Sequence, residues 1–438
     1  MLSFFPLLFM QEKWIFTMNT PSSSAPAGLW RHPNFLKPWA GSTVSLFGSQ
    51  ITFLALPFTA VLLLHATASQ MSFLVFAETL PTLLIGLFAG VWVDRLPRRP
   101  MLIIADVGRA LLFGSLPILT LLGWLRIEYL FLVAFATGTL TFFFDTAYCA
   151  FLPTIVERKL LIEGNSKLEM SNLLANLAGP GLAGWLIQLV TAPLAIFVDT
   201  CSFLVSAFSV WTIHVQEAPS TSEESTNFWR DLREGLGVLL KNATLRSIAA
   251  CGATLNFFGG ITDVVRVLFF VQVLHLGAIF FGLMFSVASL SALVGAACNP
   301  WMTRKLGIGP TILLSAFTLA AGWLLIPLAG GPPGVEVSMI IVGALLFGVS
   351  NTLFNVNELS LRQQVTPNRL LGRMGAGMQF IGVGTLPLGA LLGGVLGEHL
   401  GLRATFLIGC CGFFLAFLWT LFSPVRKLHV VTSEEHAE

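Results

Sequence analysis

Charge is what this sequence has least of. Only 11% of its 438 residues are Asp, Glu, Lys or Arg, against 55% apolar residues, and a chain of this length in water could not cover its surface with so few charges. Lipid must therefore solvate most of it. The net charge is only +2, without the concentrated basic face that neutralising phosphates requires, which argues against a nucleic-acid partner. Cysteine is scarce too: Cys149, Cys201, Cys251, Cys298, Cys410 and Cys411 all lie in apolar stretches with no paired spacing in a polar segment. Neither a disulfide framework nor a zinc site is expected, and adjacent Cys410 and Cys411 point to different helix faces. No Gly-rich loop ending in Lys-Ser/Thr is present, so ATP is not the energy source within this chain. An intramembrane enzyme would need a nucleophile or metal set at bilayer depth. His32, His65, His214, His275 and His399 instead flank apolar segments, and His429 and His436 lie in the tail. No cofactor and no metal are expected.

Long apolar runs are abundant. A bilayer core about 30 Å thick takes roughly 20 apolar helical residues, and runs of that kind lie near 36–64, 71–93, 101–123, 129–151, 169–190, 193–215, 246–273, 278–301, 309–329, 336–359, 374–397 and 403–423. The expected fold is an all-α membrane protein with twelve spans. Its start, MLSFFPLLFMQEKWIF, has no positive charge before the short apolar run and no small-residue cleavage site after it, so a signal peptide is not expected. Met18 reads as the natural start and residues 1–17 as an over-long one without function.

Basic residues gather in alternate connections. Arg95, Arg98, Arg99, Arg158, Lys159, Arg230, Arg233, Lys241, Arg304, Lys305, Arg362, Arg369 and Arg373 share one side with both tails, whereas the other side has Arg126 and Arg403. Cationic loops stay cytoplasmic, which predicts a multi-pass protein of the plasma (inner) membrane with both termini in the cytoplasm. The second half echoes the first at a shift of about 207–211 residues. Leu64-His65 meets Leu274-His275, Trp92, Arg95 and Pro100 meet Trp301, Arg304 and Pro310, and Val156, Leu161 and Pro180 meet Val365, Leu370 and Pro387. An even number of spans per half makes the repeats parallel. The expected organisation is a flexible cytoplasmic tail over 1–35, a six-helix half over 36–215, a cytoplasmic linker over 216–245, a second six-helix half over 246–423 and a tail over 424–438. The linker opens acidic and Ser/Thr-rich and ends in RDLREGLGVLL, which reads as a short amphipathic helix at the membrane surface.

Two motifs suggest mechanism. Gly90-Val91-Trp92-Val93-Asp94-Arg95-Leu96-Pro97-Arg98-Arg99-Pro100 joins the second and third spans: Gly90 allows two helices to approach, Asp94 can face a helix N-terminus, and Arg95, Arg98 and Arg99 can pair with acids or lipid phosphates. This segment resembles the signature loop of the major facilitator superfamily. The resemblance implies two six-helix halves and a cytoplasmic latch, with Asp94 meeting the start of the eleventh span near Arg373 to Gly375. The second-half counterpart, Trp301-Met302-Thr303-Arg304-Lys305, lacks the Asp, so the latch is expected to be asymmetric. In the fifth span, Ala175 followed by Gly179-Pro180-Gly181-Leu182-Ala183-Gly184 provides tight packing and a bend. It resembles the Gly-Pro motif of the superfamily's drug/proton antiporters but departs at its first Gly. With GVWVDRLPRRP and EGNSKLE, AGPGLAG is similar to the macrolide, tetracycline and enterobactin exporter branch.

Ionisable residues inside a bilayer are costly and are functional candidates by default. Glu78, Asp106, Arg109, Asp145, Asp199, Asp263, Arg266 and Glu358 qualify. Asp106 with Arg109, and Asp263 with Arg266, sit three apart on one helical face and can neutralise each other locally. Glu78 and Asp145 have no opposite charge nearby in sequence and are the expected proton carriers; Asp145 alternatively pairs with Arg109 across helices as a gate. Glu358 reads as interfacial, and Asp199 as close to the outer end of its span. Asn256, Asn351, Asn355 and Gln379 either line a cavity or bond between helices. The function expected is secondary active efflux of an amphipathic small molecule in exchange for protons, by a monomer in the lipid bilayer. The alternatives are a siderophore or lipid-like metabolite exporter, an uncoupled facilitator, and a non-transporting receptor or scaffold.

Overall fold

A computed structural model of the protein describes residues 29, 32–86, 97–157, 160–213, 236–367 and 370–428. Twelve of its helices are long and apolar enough to cross a bilayer. They are α1 (Pro33–Leu62), α2 (Ala68–Gly86), α3 (Arg98–Leu121), α4 (Ile127–Ile155), α5 (Leu161–Val190) and α6 (Ala192–Trp211), then α7 (Ala243–Leu268, extended by a π-helical turn Phe269–Val273), α8 (Ala278–Leu306), α9 (Ile308–Leu328), α10 (Pro333–Val365), α11 (Leu371–His399) and α12 (Leu402–Leu421). Helix is what lipid demands, because no water is available there for unpaired backbone groups. Several helices outrun the apolar runs that announce them. α5 begins at Leu161 rather than near 169 and α10 ends at Val365 rather than near 359, since hydropathy marks only the lipid-facing stretch while the backbone ladder continues into the polar ends.

The sequence repeat is also a backbone repeat. His65 and His275 hold left-handed φ values of 50° and 53°, and Thr191 and Gly401 both sit at φ 82°; each pair is separated by 210 positions. α6 and α12 have the same offset at both ends.

In the first half, α1 packs on α5 and α6, α3 on α4 and α6, and α2 on α4; in the second, α7 packs on α11 and α12, α8 on α10, and α9 on α10 and α12. The halves meet through α5 against α8 and α2 against α11. One large core crosses between the halves, joining the stretch Leu54–Val61 of α1 and Met71 and Leu74 of α2 to Val264–Phe270, Phe281 and Phe406. It lies toward the end bearing the short connections after α1, α3, α5, α7, α9 and α11. Phe58 and Phe281 meet edge to face at 5.5 Å and Phe53 and Phe285 at 5.8 Å across this junction. At the opposite end the cores are separate: one is built from second-half residues such as Ile248, Ile312, Leu361 and Met374, and two smaller ones from first-half residues. Among the described residues the shared core thus closes one end, while the cores at the end bearing both tails are divided between the halves.

The inner edges of both tails are packed rather than loose. Leu29 is buried and its N–H donates to Glu163 Oε1 at 3.2 Å. Val425 is buried in the second-half core, and the Gly309 N–H donates to the Leu428 carbonyl at 3.0 Å. In the linker, residues 236–241 are helical and Leu239 is buried; residues 214–235, with most of the expected surface helix, lie outside the described residues.

Candidate functional site

The first half encloses a charged cluster. Helical spacing stacks Arg109 over Asp106 on α3, and the two form an ion pair with side chains only 5% and 0% exposed. The guanidinium is also held between two rings, 4.3 Å from the centroid of Phe144 on α4 and 4.4 Å from that of Phe203 on α6. Desolvated cation–π contacts of this kind contribute about 2 kcal/mol each, which helps offset the cost of burying the pair. Among the described residues Asp106 Oδ2 and Arg109 Nε have no hydrogen-bond partner. One turn from Phe203 lies Asp199, also 0% exposed, whose carboxylate accepts hydrogen bonds from the hydroxyls of Thr52 on α1 and Ser202. Asp145 on α4 is half-buried, within the electrostatic reach of Arg109 and Asp106. No ion pair joins Asp145 to Arg109 among the described residues; Arg109 reaches Thr141 on α4 instead, at 3.5 Å.

The second-half pair has the same spacing in a more open setting. Arg266 meets Asp263 at 2.8 Å, with 11% and 18% of their side chains exposed. Its aromatic partners are looser: the centroids of Phe285, Phe281 and Trp323 are 5.0, 5.6 and 5.9 Å away. Asp263 belongs to the region where the halves face each other, within electrostatic reach of Glu78 on α2. Glu78 is exposed although helices surround it, as expected of a residue on the wall of an internal space. Glu78 is ten residues in from Ala68 and Asp263 ten residues before Val273, so both lie roughly 15 Å below the closed end at 1.5 Å per residue.

Small residues bring the halves together around these acids. A side chain at Gly282 would run into the Pro180 carbonyl, and one at Gly184 into that of Ala278. Gly179 leaves room for Gln50, which donates to Asn176 Oδ1 at 3.0 Å, while the Ser289 hydroxyl donates to the Asn176 carbonyl at 2.8 Å. This links α1, α5 and α8. At the closed end Glu398 of α11 accepts from the Thr67 hydroxyl at 2.9 Å and the Ser69 N–H at 3.3 Å, so a second-half carboxylate caps the first turn of α2, where the helix dipole favours an anion.

Comparison with known proteins accounts for this architecture. The Major Facilitator Superfamily sequence profile matches residues 39–379. The chain belongs to the major facilitator superfamily. It is similar to the multidrug efflux pump Tap of Mycolicibacterium fortuitum, 28% identical over 82% of this chain and 88% of that protein. It is also similar to macrolide efflux protein A of Streptococcus pyogenes, 22% identical over 90% of this chain and 97% of that one. Among solved structures, a bacterial homologue of the iron transporter ferroportin in its inward-facing state superposes with a TM-score of 0.74 at 16% identity, covering 90% and 98% of the two chains. The protein is a multi-pass membrane transporter of small molecules, built on the major facilitator fold of twelve helices in two parallel repeats.

Of the superfamily's signature loop, Gly90, Asp94 and Arg95 lie outside the described residues. Arg98 donates to the Ala150 carbonyl on α4 at 3.0 Å, and Arg99 to the carbonyls of Val210 and Trp211 at the end of α6, at 3.3 and 2.6 Å. These contacts tie α3 to helices of its own half. In the antiporter-like stretch, Gly179, Pro180, Ala183 and Gly184 lie where α5 meets α1 and α8. Ala183 is buried in the shared core.

Three sequence expectations change. Asp199 lies seven residues into α6, sealed among α1, α3 and α6 rather than at the membrane surface; position along a span does not reveal the direction a side chain faces. Glu358 is half-buried and 3.0 Å from Arg362 rather than simply interfacial, because α10 continues well beyond it. For Asn256 and Asn355 the alternative of bonds between helices gives way to bonds to the carbonyls of Gly252 and Asn351 one turn back in their own helices, while that of lining a cavity stands as an expectation. In the second half an amide that does bridge helices is Asn357, which donates to Asn299 Oδ1 at 2.6 Å and accepts from Thr303 at 3.0 Å. Asn299, Thr303 and Asn357 carried no sequence signal that set them apart from other polar residues, nor did Gln50, Asn176 or Glu398.

Proposed function

We propose that this transporter exports amphipathic small molecules across the plasma (inner) membrane in exchange for protons, working as a monomer by alternating access. The observation that carries the proposal is Glu78, an exposed carboxyl roughly 15 Å below the closed end and within reach of Asp263 on the other half. A carboxyl on an internal wall can take a proton or the cationic group of a cargo molecule, and exclusive occupancy by one or the other couples their movements. Asp145, half-buried on the fringe of the Arg109 cluster, is the second proton carrier. Efflux as the direction is supported by the similarity to a multidrug pump and a macrolide efflux protein.

Both termini are assigned to the cytoplasm because the basic connections accompany them, which makes the divided end cytoplasmic and this conformation inward-open. The halves, 36–215 and 246–423, would rock about the α5–α8 and α2–α11 contacts, with 216–245 as the link. Asp94 would latch the divided end when it closes. In vesicles with an imposed proton gradient, accumulation of a cationic dye or a macrolide should follow the gradient. Glu78→Gln and Asp145→Asn should flatten that dependence. Wild-type flux indifferent to the gradient would identify an uncoupled facilitator. Unchanged pH dependence in both variants would refute the carrier assignment. Absence of flux for drug-like, siderophore and lipid-like compounds would favour a receptor or scaffold.

A further inference from the structure

The cluster inside the first half contains more acid than base. Arg109 acts on Asp106, Asp145 and Asp199, and a guanidinium does not give up its proton in proteins. With all three carboxyls ionised the group would carry a net charge of −2, two of its anions sealed from solvent. Asp106 takes the ion pair. Asp145 is only half-buried, unlike Asp106 and Asp199. Asp199 has neither remedy: it is 0% exposed, forms no ion pair among the described residues, and has hydroxyl partners in Thr52 and Ser202.

Among the described residues its surroundings supply no other nearby cation. α6 packs on α1, α3 and α5. α1 presents Thr52 and bears its one charged residue, Lys37, near its far end; α3 presents Asp106 and Arg109, with Arg98 and Arg99 bonded at its start. On α5 the charged residues Glu163, Lys167 and Glu169 lie in the first turns, at the divided end. The contact with α1 is close, since a side chain at Gly48 would collide with the Asp199 carboxylate and Ser202. A buried charge with only neutral partners is far costlier than a neutral acid, which can donate to a hydroxyl. A proton on Asp199 itself would balance the charge without calling on any further side chain.

We propose that Asp199 carries a proton in the resting transporter, forming a proton site walled off within the first half and separate from the cargo-facing Glu78. The inference rests on the proton-exchange reading for its role in transport, but the protonation itself can be tested independently. Protonated on Oδ2, Asp199 would donate to the Thr52 hydroxyl in place of the bond that its carboxylate accepts from it. Arg109 is a positioning residue, dividing its charge between Asp106 and the other two acids.

The test is infrared spectroscopy of the purified full-length protein in lipid nanodiscs at neutral pH, following the C=O stretch of protonated carboxyl groups. Asp199→Asn should remove one acid's share of that band, whereas Asp145→Asn should leave that component in place. An undiminished band in Asp199→Asn would overturn the proposal. Thr52→Val, which keeps the side-chain shape, should move the component's frequency by removing its hydrogen-bond partner. If Asp199→Asn does not fold, an unmoved band in Thr52→Val overturns the proposal instead. In vesicles Asp199→Asn should lose pH dependence while cargo affinity in detergent stays within about twofold, the pattern of a residue that does not touch cargo. If wild-type flux proves indifferent to pH, the exchange reading falls while the infrared result still decides the state of Asp199.

Discussion

The two halves each carry an Asp three residues before an Arg inside a membrane helix, and they use the pair in opposite ways. In α3 the pair is sealed, clamped between Phe144 and Phe203, and surrounded by further acids. In α7 it is partly open, its aromatic neighbours stand off by 5.0 Å or more, and it faces Glu78 across the junction. Identical spacing therefore does not imply identical work. The sealed pair lies in the interior of one half, whereas the more open pair lies toward the region where the halves face each other.

The comparison can be broken most forcefully at Arg109. Arg109→Met leaves Asp106 buried without its partner, a loss on the order of 3–5 kcal/mol. It should appear as a large drop in thermal stability or a failure to accumulate. Asp106→Asn/Arg109→Gln, which removes both charges, should recover much of that loss, and a double-mutant cycle measures the coupling. Arg266→Met tests the open pair. Because Asp263 keeps 18% of its side chain exposed, the stability cost should be smaller than that of Arg109→Met, with the main effect on transport. A cost equal to that of Arg109→Met would erase the distinction.

A smaller effect is expected where the halves meet at the closed end. Glu398→Ala removes the carboxylate that caps α2, worth about 1 kcal/mol, and should speed amide hydrogen exchange in the first turn of α2. Unchanged exchange at Ser69 would show that this contact does not hold the end shut. The smallest change sharpens the backbone repeat. Thr191 adopts the φ of 82° that Gly401 adopts in the second half, a conformation that a β-branched residue holds at a cost of about 1 kcal/mol or more. Thr191→Gly should raise the unfolding temperature slightly, and Gly401→Thr should lower it.

Much of the fold was legible because bilayer thickness imposes a length and lipid imposes apolarity, two properties that survive in a linear string. The i, i+3 pairing of Asp106 with Arg109 and Asp263 with Arg266 was legible for a similar reason, since helical periodicity is local. Asp199 was misjudged because its partner Thr52 is 147 positions away, and only the packing of α6 on α1 shows that they touch. The aromatic clamp on Arg109 draws on α4 and α6, so neither Phe144 nor Phe203 stood out among 38 phenylalanines. Glu398 was unreadable in the same sense: it lies at the end of an apolar run, and its partners belong to the other half.

By itself, then, the sequence determined twelve helices, their repeat and the local pairing of acids with bases, because each follows from spacing along one chain segment. The tertiary structure alone decided which pair is sealed and which is more open, where the shared core closes one end, and which buried carboxyl forms no ion pair among the described residues. Those outcomes depend on side chains more than a hundred residues apart sharing one low-dielectric space, where the energy of a charge is set by what packs around it rather than by its neighbours in sequence.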